Sequence, residues 1–523
     1  MSPKVIATFV LVALLAVGAG GLTAVLVDDG GSSSAPSDRP APRQPTEPAD
    51  PSVTEPPSPE LAQYYSQDIA WEVCEGGNEC ATLTVPIDYQ NVDLGTIDLA
   101  LMRAPAEDPD ARVGSLVVNP GGPGAPGTDM IRDKEFYFGD PLRESFDIVG
   151  FDPRGTGASD PVDCLSDEEL DEFIAGDPAP DDPGEDQEYA DSLAEFFAGC
   201  VDNSGELVGH VSTNEAARDM DVLRAALRDD ALDYLGFSYG TRLGATYAEL
   251  FPERVGRFVL DAATDPTLTF RESTLSQAGG FQLALESYIQ DCVDGGDCFL
   301  GDSVQEGLDR ISGLLDEIDD DPLPTNDPEG RELQIGNAFY GIVTPLYSEE
   351  NWQFLDQGLE QALDGDGSTL LFLSDFYGSR ENGEYVDNSL EAIYAINCLD
   401  DPTSIQPGQV RDNYRDFKKV SPTFGEVFAW GLLNCRGLQV EPAYEPLEIH
   451  AEGAAPIVVV GTTRDPATPY EEAVALADEL ESGVLVSREG DGHAAYNKGN
   501  DCIDTTLEDY LIEGTVPEDG LEC

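Results

Sequence analysis

Leu232-Asp233-Tyr234-Leu235-Gly236-Phe237-Ser238-Tyr239-Gly240-Thr241 is the stretch on which the fold turns. The apolar residues up to Leu235 predict a buried strand, the glycines a turn, and a helix is expected from about Thr241. In a G-x-S-x-G turn the serine is driven into a strained backbone conformation. Only glycine two residues to either side lets strand and helix approach so closely. The Ser238 hydroxyl is then presented at the strand end, and the Tyr239 amide points to where an oxyanion would develop. The pattern alone occurs by chance; a strand before it and a helix after it give it weight.

Outward from this turn the chain alternates between the two periodicities. Gly114–Val118, Phe146–Phe151, Phe258–Leu260, Ile457–Val460 and Val484–Val486 read as short buried strands. Ser212 and Glu215 have the spacing of a capping box, and Met220, Leu223 and Leu227 line one face of the helix that follows. A further helix is expected over Glu471–Leu480. Repeated β-α-β units with apolar strands predict an α/β protein whose mostly parallel sheet is covered by helices on both faces. Between Pro266 and Glu452 the pattern changes to helical spacing alone: Val304, Leu308, Ile311, Leu315, Ile318, then Trp352, Leu355, Leu359, Leu363. This predicts a large helical cap inserted before the last strands and lying over their carboxyl ends. The expected organisation is therefore a core over 61–266, a cap over 267–452 and a second core segment over 453–523.

The 523 residues carry 103 Asp and Glu against 27 Lys and Arg, a net charge of −76. Such a chain repels phosphates along its whole length, which excludes a nucleic-acid binder working through a basic surface. Diffuse acidity suits a protein kept soluble in a salty or extracellular medium. Export is also written at the N-terminus. Lys4 precedes an uncharged run, Val5–Val27, long enough to cross a bilayer, and acids follow it. Residues 1–27 are either a signal peptide cut near Val17-Gly18-Ala19 or an uncleaved membrane anchor, and the apolar run beyond that point favours the anchor. Residues 28–60, rich in Pro and Ser, form an expected disordered linker. Ten cysteines in an exported chain argue for disulfides. Their spacing suggests Cys74–Cys80, Cys164–Cys200, Cys292–Cys298, Cys398–Cys435 and Cys502–Cys523. The paired cysteine spacing of a zinc site is missing, and no metal or cofactor is indicated.

A serine nucleophile needs a base, and the sequence has three histidines. His210 lies before the nucleophile near a helix start, as a surface or capping residue, and His450 closes the cap region as a structural one. His493, in Gly490-Asp491-Gly492-His493 after the last strand read here, is the expected base. Asp465, which follows the strand Ile457–Val460, is the expected partner that orients the imidazole; Asp261, Asp265 and Asp491 are its rivals. The turn Asn119-Pro120-Gly121-Gly122-Pro123-Gly124 offers a second oxyanion donor, Gly122 or Gly121, to pair with Tyr239.

With these residues in view, the sequence resembles exported bacterial α/β-hydrolases of the proline-iminopeptidase and tripeptidyl-aminopeptidase group, from about Trp71 to Cys523. The matching pieces are the Asn119–Gly124 turn, Asp152-Pro153-Arg154-Gly155-Thr156-Gly157-Ala158-Ser159, Gly236–Thr241, Asp465-Pro466-Ala467-Thr468-Pro469, Gly490–His493 and the Cys502–Cys523 segment. The resemblance implies the α/β-hydrolase fold, a Ser238–His493–Asp465 triad, and release of residues or short peptides from substrates with a free N-terminus. Asp400, in an A-I-x-C-x-D segment similar to one in that group, is implied as the anchor for the substrate ammonium. Ala125-Pro126-Gly127 departs from the serine and glycine usual after the oxyanion turn, which bears on the neighbouring pocket. An exported carboxylesterase uses the same triad, and a non-catalytic binding protein shares the fold. No obligate protein partner is inferred.

Overall fold

In the computed structural model, residues 54–444 and 446–523 are described. The expected export segment and residues 28–53 of the expected linker lie outside them. Among the described residues the strands are, in chain order, β1 (Glu72–Val73), β2 (Glu79–Pro86), β3 (Thr96–Ala104), β4 (Gly114–Asn119), β5 (Phe146–Phe151), β6 (Leu232–Phe237) and β7 (Val255–Asp261). They continue with β8 (Arg380–Glu381), β9 (Glu384–Tyr385), β10 (Ile457–Arg464), β11 (Gly483–Asp491) and β12 (Leu521–Glu522). All but β8 and β9 join one sheet, in the order β1-β2-β3-β5-β4-β6-β7-β10-β11-β12. From β5 across to β12 neighbouring strands are parallel, whereas β1, β2 and β3 make an antiparallel edge. This is the α/β-hydrolase fold, with its helical cap inserted between β7 and β10. Each strand expected from the sequence is present. β2 and β3 were not foreseen, because their polar residues alternate with apolar ones instead of forming continuous apolar runs.

Helices cover both faces. On one, Met220, Leu223, Leu243 and Tyr247 pack against Val117, Val149 and Leu260. On the other, Ile131, Leu142, Ile503 and Leu507 pack against Val118, Leu235 and Val259. Leu61, Tyr64 and Tyr65 are buried against the first of these faces, so the chain is folded onto the sheet from there. The cap has its own core around Leu285, Ile311, Leu355, Phe417 and Trp430, and this core includes Leu193. Leu193 belongs to the helix Pro183–Ser204, which precedes β6, so a segment from before the nucleophile turn also packs into the cap.

The five disulfides join the cysteines that the spacing suggests. Ser212 caps the helix Thr213–Leu227 by accepting from the Glu215 amide. The reciprocal half of the expected capping box does not form: the Glu215 carboxylate is turned inward and fully buried.

Strand register sets the site. Asn119 of β4 lies opposite Gly236 of β6, Phe237 opposite Asp261 of β7, Asp261 opposite Val460 of β10, and Arg464 of β10 opposite Asp491 of β11. The loops that follow these residues therefore leave the sheet side by side at its carboxyl edge.

Candidate active site

Ser238 sits between β6 and the helix Tyr239–Leu250 at φ 56° and ψ −125°, a region costing a non-glycine residue about 1–3 kcal/mol. The surroundings enforce it. The Ser238 amide donates to the Asp261 carbonyl at 2.9 Å, while Thr241 donates its amide and hydroxyl to the Ser238 carbonyl at 2.8 and 2.6 Å. A Cβ on Gly236 would fall 2.6 Å from the Gly240 carbonyl oxygen, and one on Gly240 would fall 2.9 Å from the Asn119 side chain. Both glycines are thus required by close approach, as the sequence pattern demands.

Asp465, in the loop after β10, is buried and accepts from the amides of Ala467 and Thr468 at 2.9 Å. Its two oxygens lie 2.8 and 2.9 Å from Nδ1 of His493, and the Ala494 amide approaches at 3.3 Å. The imidazole is further fixed by the Tyr347 ring, which meets it edge-on, and by the His493 amide donating to the Tyr347 carbonyl at 2.8 Å. Tyr347 comes from the cap, so the cap holds the imidazole as well as covering the site. Burial pulls the His493 pKa down. The charge and hydrogen bond of Asp465, with the charge of Asp261, more than offset it, and the net shift is upward from the ordinary imidazole value.

Asp261 does not touch the imidazole by hydrogen bond. Its buried carboxylate accepts from the amides of Ala495 (3.0 Å) and Tyr496 (2.8 Å), two residues that follow His493 closely. Through its carbonyl the same residue holds Ser238. Asp261 thus ties the nucleophile turn to the histidine loop. Strand register is the signal that could have found it, since it places Asp261 beside Phe237. Asp491 pairs instead with Arg464, and Asp265 caps its own turn at Thr267.

The Asn119–Gly124 turn abuts the nucleophile turn: a Cβ on Gly121 would fall 2.9 Å from Cβ of Ser238. The Gly121 amide donates to the Asn119 side chain at 3.0 Å and is engaged. Among the described residues, no hydrogen-bond acceptor faces the amides of Gly122 and Tyr239, so these two donors remain for an incoming oxygen.

Ser238, Gly122 and Tyr239 line a cavity of about 560 Å³ between sheet edge and cap, together with Thr468 and Tyr347, both of which touch His493. Aromatic rings dominate one wall, among them Phe173, Tyr189, Phe339, Tyr340, Tyr394 and Phe428. Among the described residues, seven acids line the cavity (Glu172, Asp177, Glu185, Glu188, Asp265, Asp401 and Glu472) against one cation, Arg242. Burial pushes Glu472 up to about 7 and Asp177 up to about 6. Asp400 is not on this wall. Its carboxylate accepts from the amide and hydroxyl of Thr213 at the start of the helix Thr213–Leu227 and faces Arg242 at 3.7 Å, so its oxygens are engaged at that helix terminus. Sequence position could not reveal this, because Thr213 and Asp400 are far apart along the chain. His210 and His450 are away from the cavity wall.

Comparison with known proteins places this geometry. The family model described as "TAP-like protein" matches residues 421–523. Serine protease Hip1 of Mycobacterium tuberculosis is 38% identical over 479 residues, covering 87% of this chain and 91% of that protein. The chain belongs to the tripeptidyl-aminopeptidase-like family of bacterial α/β-hydrolases. A carboxylesterase B of Mycobacterium tuberculosis is 36% identical over 451 residues, covering 85% of this chain and 86% of that protein. A tripeptidyl aminopeptidase of Streptomyces lividans is 31% identical over 481 residues, covering 87% and 86%. As a member of this family, the protein is an enzyme, a serine hydrolase.

Proposed function

We propose that this protein is an exported serine aminopeptidase, with Ser238 as nucleophile, His493 as general base and acid, and Asp465 as the carboxylate that orients the imidazole. Ser238 Oγ attacks the carbonyl carbon of the scissile amide while His493 takes the hydroxyl proton through Nε2. The oxyanion is held by the amides of Gly122 and Tyr239. His493 then returns the proton to the leaving amine, the C–N bond breaks, and an acyl-serine remains. Water, deprotonated by the same imidazole, attacks that ester, and Ser238 regains its proton as the acid leaves. Asp465, held by the amides of Ala467, Thr468 and Ala494 besides the imidazole, fixes the ring and supports the imidazolium.

The observation that carries the reading is the pairing of His493 with Asp465 beside a cavity floored by Ser238 and two unengaged amides. The acidic lining supports a substrate bearing a free ammonium, and the aromatic wall supports apolar side chains next to it. The relatives named as a serine protease and a tripeptidyl aminopeptidase point the same way. The relative named carboxylesterase B favours a second reading, an exported esterase on the same triad.

A fluorophosphonate probe should label the wild type and fail on Ser238→Ala. Peptide amides with free and with acetylated N-termini, assayed beside a short-chain ester, then separate the two readings. Faster turnover of the free form supports the aminopeptidase. Indifference to acetylation with far faster ester cleavage replaces it by the esterase.

A further inference from the structure

Away from the cavity, the turn after β2, the 3₁₀ turn Gly205–His210 and the first turn of the helix Thr213–Leu227 bring together Asp88, His210 and Glu215. One ligand atom from each lies within 4.8 Å of the others, and Nδ1 of His210 is 3.8 Å from Oε1 of Glu215. Among the described residues, neither atom of that pair has a hydrogen-bond partner, nor has Oε2 of Glu215, although Glu215 is 0% exposed. A buried carboxylate without donors is costly, and its surroundings should explain it.

The nearest fixed charge does not supply the missing partner. Arg154 approaches Glu215 at 3.6 Å, but its N–H groups are committed elsewhere. Nε and Nη2 donate to Asp219, Nη2 also to the Pro86 carbonyl, and Nη1 to the carbonyls of Ile87 and His210. These five bonds exhaust a guanidinium, so Arg154 neutralises Asp219 and leaves the Glu215 oxygens without a donor. Asp88 keeps Oδ2 available, since it is Oδ1 that accepts from the Gln90 amide.

We propose that Asp88, His210 and Glu215 form a structural site for a zinc-type divalent cation. Two carboxylates and a neutral imidazole balance a dication, and one nitrogen with carboxylate oxygens is a donor set that such borderline ions accept. Two ligand atoms on a tetrahedral zinc are about 3.4 Å apart, so the 3.8 Å pair needs to close by only a few tenths of an ångström. The ion would join three segments distant in sequence and fix the start of the helix Thr213–Leu227. Thr213, in that first turn, bonds the hydroxyl of Tyr239 at 2.6 Å, so the clamp lies behind one wall of the cavity. The inward turn of Glu215, at the expense of its expected capping bond, has its reason in this site.

The test uses the mature full chain, freed of metal by chelation and titrated with Zn²⁺ in physiological salt by calorimetry and thermal unfolding. One equivalent should bind, with the unfolding midpoint rising by about 3 °C at a hundredfold excess over Kd. X-ray absorption at the zinc edge should show one imidazole among oxygen ligands. His210→Ala, Asp88→Asn and Glu215→Gln should each weaken binding at least tenfold and lose the thermal shift, with circular dichroism confirming that each is folded. His210 and Asp88 are partly exposed, so their variants keep the test decisive if Glu215→Gln folds poorly. Absence of an equimolar site, or a site unchanged in His210→Ala and Asp88→Asn, overturns the proposal.

Discussion

Replacing Asp261 by asparagine isolates the link between Ser238 and His493, the proposed nucleophile and base. The carboxylate accepts from the amides of Ala495 and Tyr496 in a fully buried setting. An asparagine of the same shape retains one acceptor oxygen and turns an N–H₂ group toward the other donor. The loss is one charge-assisted hydrogen bond plus a buried mismatch, about 2–3 kcal/mol of stability. The charge acts separately: Asp261 raises the pKa of His493, so removing it lowers that pKa. Because His493, as the proposed base, must be neutral to accept the serine proton, the acid limb of activity should move to lower pH in Asp261→Asn. The rate of fluorophosphonate labelling against pH reads the limb, and urea unfolding reads the stability. Asp465→Asn is the control. It removes the acceptor of the imidazole N–H itself and should reduce turnover by about 10⁴-fold at every pH, whereas Asp261→Asn should retain at least a tenth of the plateau rate. An unmoved acid limb together with an unchanged unfolding midpoint would refute the reasoning.

A methyl group on Gly121 would meet the Phe237 carbonyl oxygen at 2.6 Å at a residue held at φ +100°, so Gly121→Ala should lower kcat/KM about 10²–10³-fold by displacing the adjoining Gly122 amide, the proposed oxyanion donor; activity within threefold of wild type would count against that donor. His493 is raised above its ordinary value, Glu391 and Glu472 to about 7, and Asp177 and Asp229 to about 6, so the folded state holds more protons than the unfolded one through mildly acidic pH. Their stabilising contribution is full below the unfolded pKa values and is lost as pH rises through the folded ones, so the unfolding midpoint should fall between pH 5 and pH 7.5; a rise over that interval contradicts these shifts. If the acidic cavity attracts a substrate ammonium, KM for peptides with a free N-terminus should increase several-fold from low to high salt while that for acetylated peptides stays level; equal salt dependence removes the electrostatic role.

How far the sequence could be read follows from where the information lies. Ser238 and its flanking glycines are local: a five-residue pattern dictates the turn, and the structure shows the contacts that require it. The apolar runs of β4 to β7 likewise announce central strands. Asp465 and His493 were accessible because loops after successive parallel strands must converge and histidines are scarce. Asp261 as a tether, Tyr347 as a brace and Asp400 as a helix terminator are products of register and cap packing, which no local window contains. Glu215 shows the same limit from the other side, since its spacing from Ser212 yields only the amide half of the expected capping box while its side chain turns into a buried tertiary environment.

Two of the five disulfides border the cavity in different ways. Cys398–Cys435 lies in its wall, and Cys164–Cys200 tethers the helix Pro183–Ser204, which adjoins that wall through the Tyr189–Asn434 hydrogen bond. Covalent ties in these two adjoining segments brace one flank of the chamber against local unfolding, a reinforcement that holds only while the thiols remain oxidised.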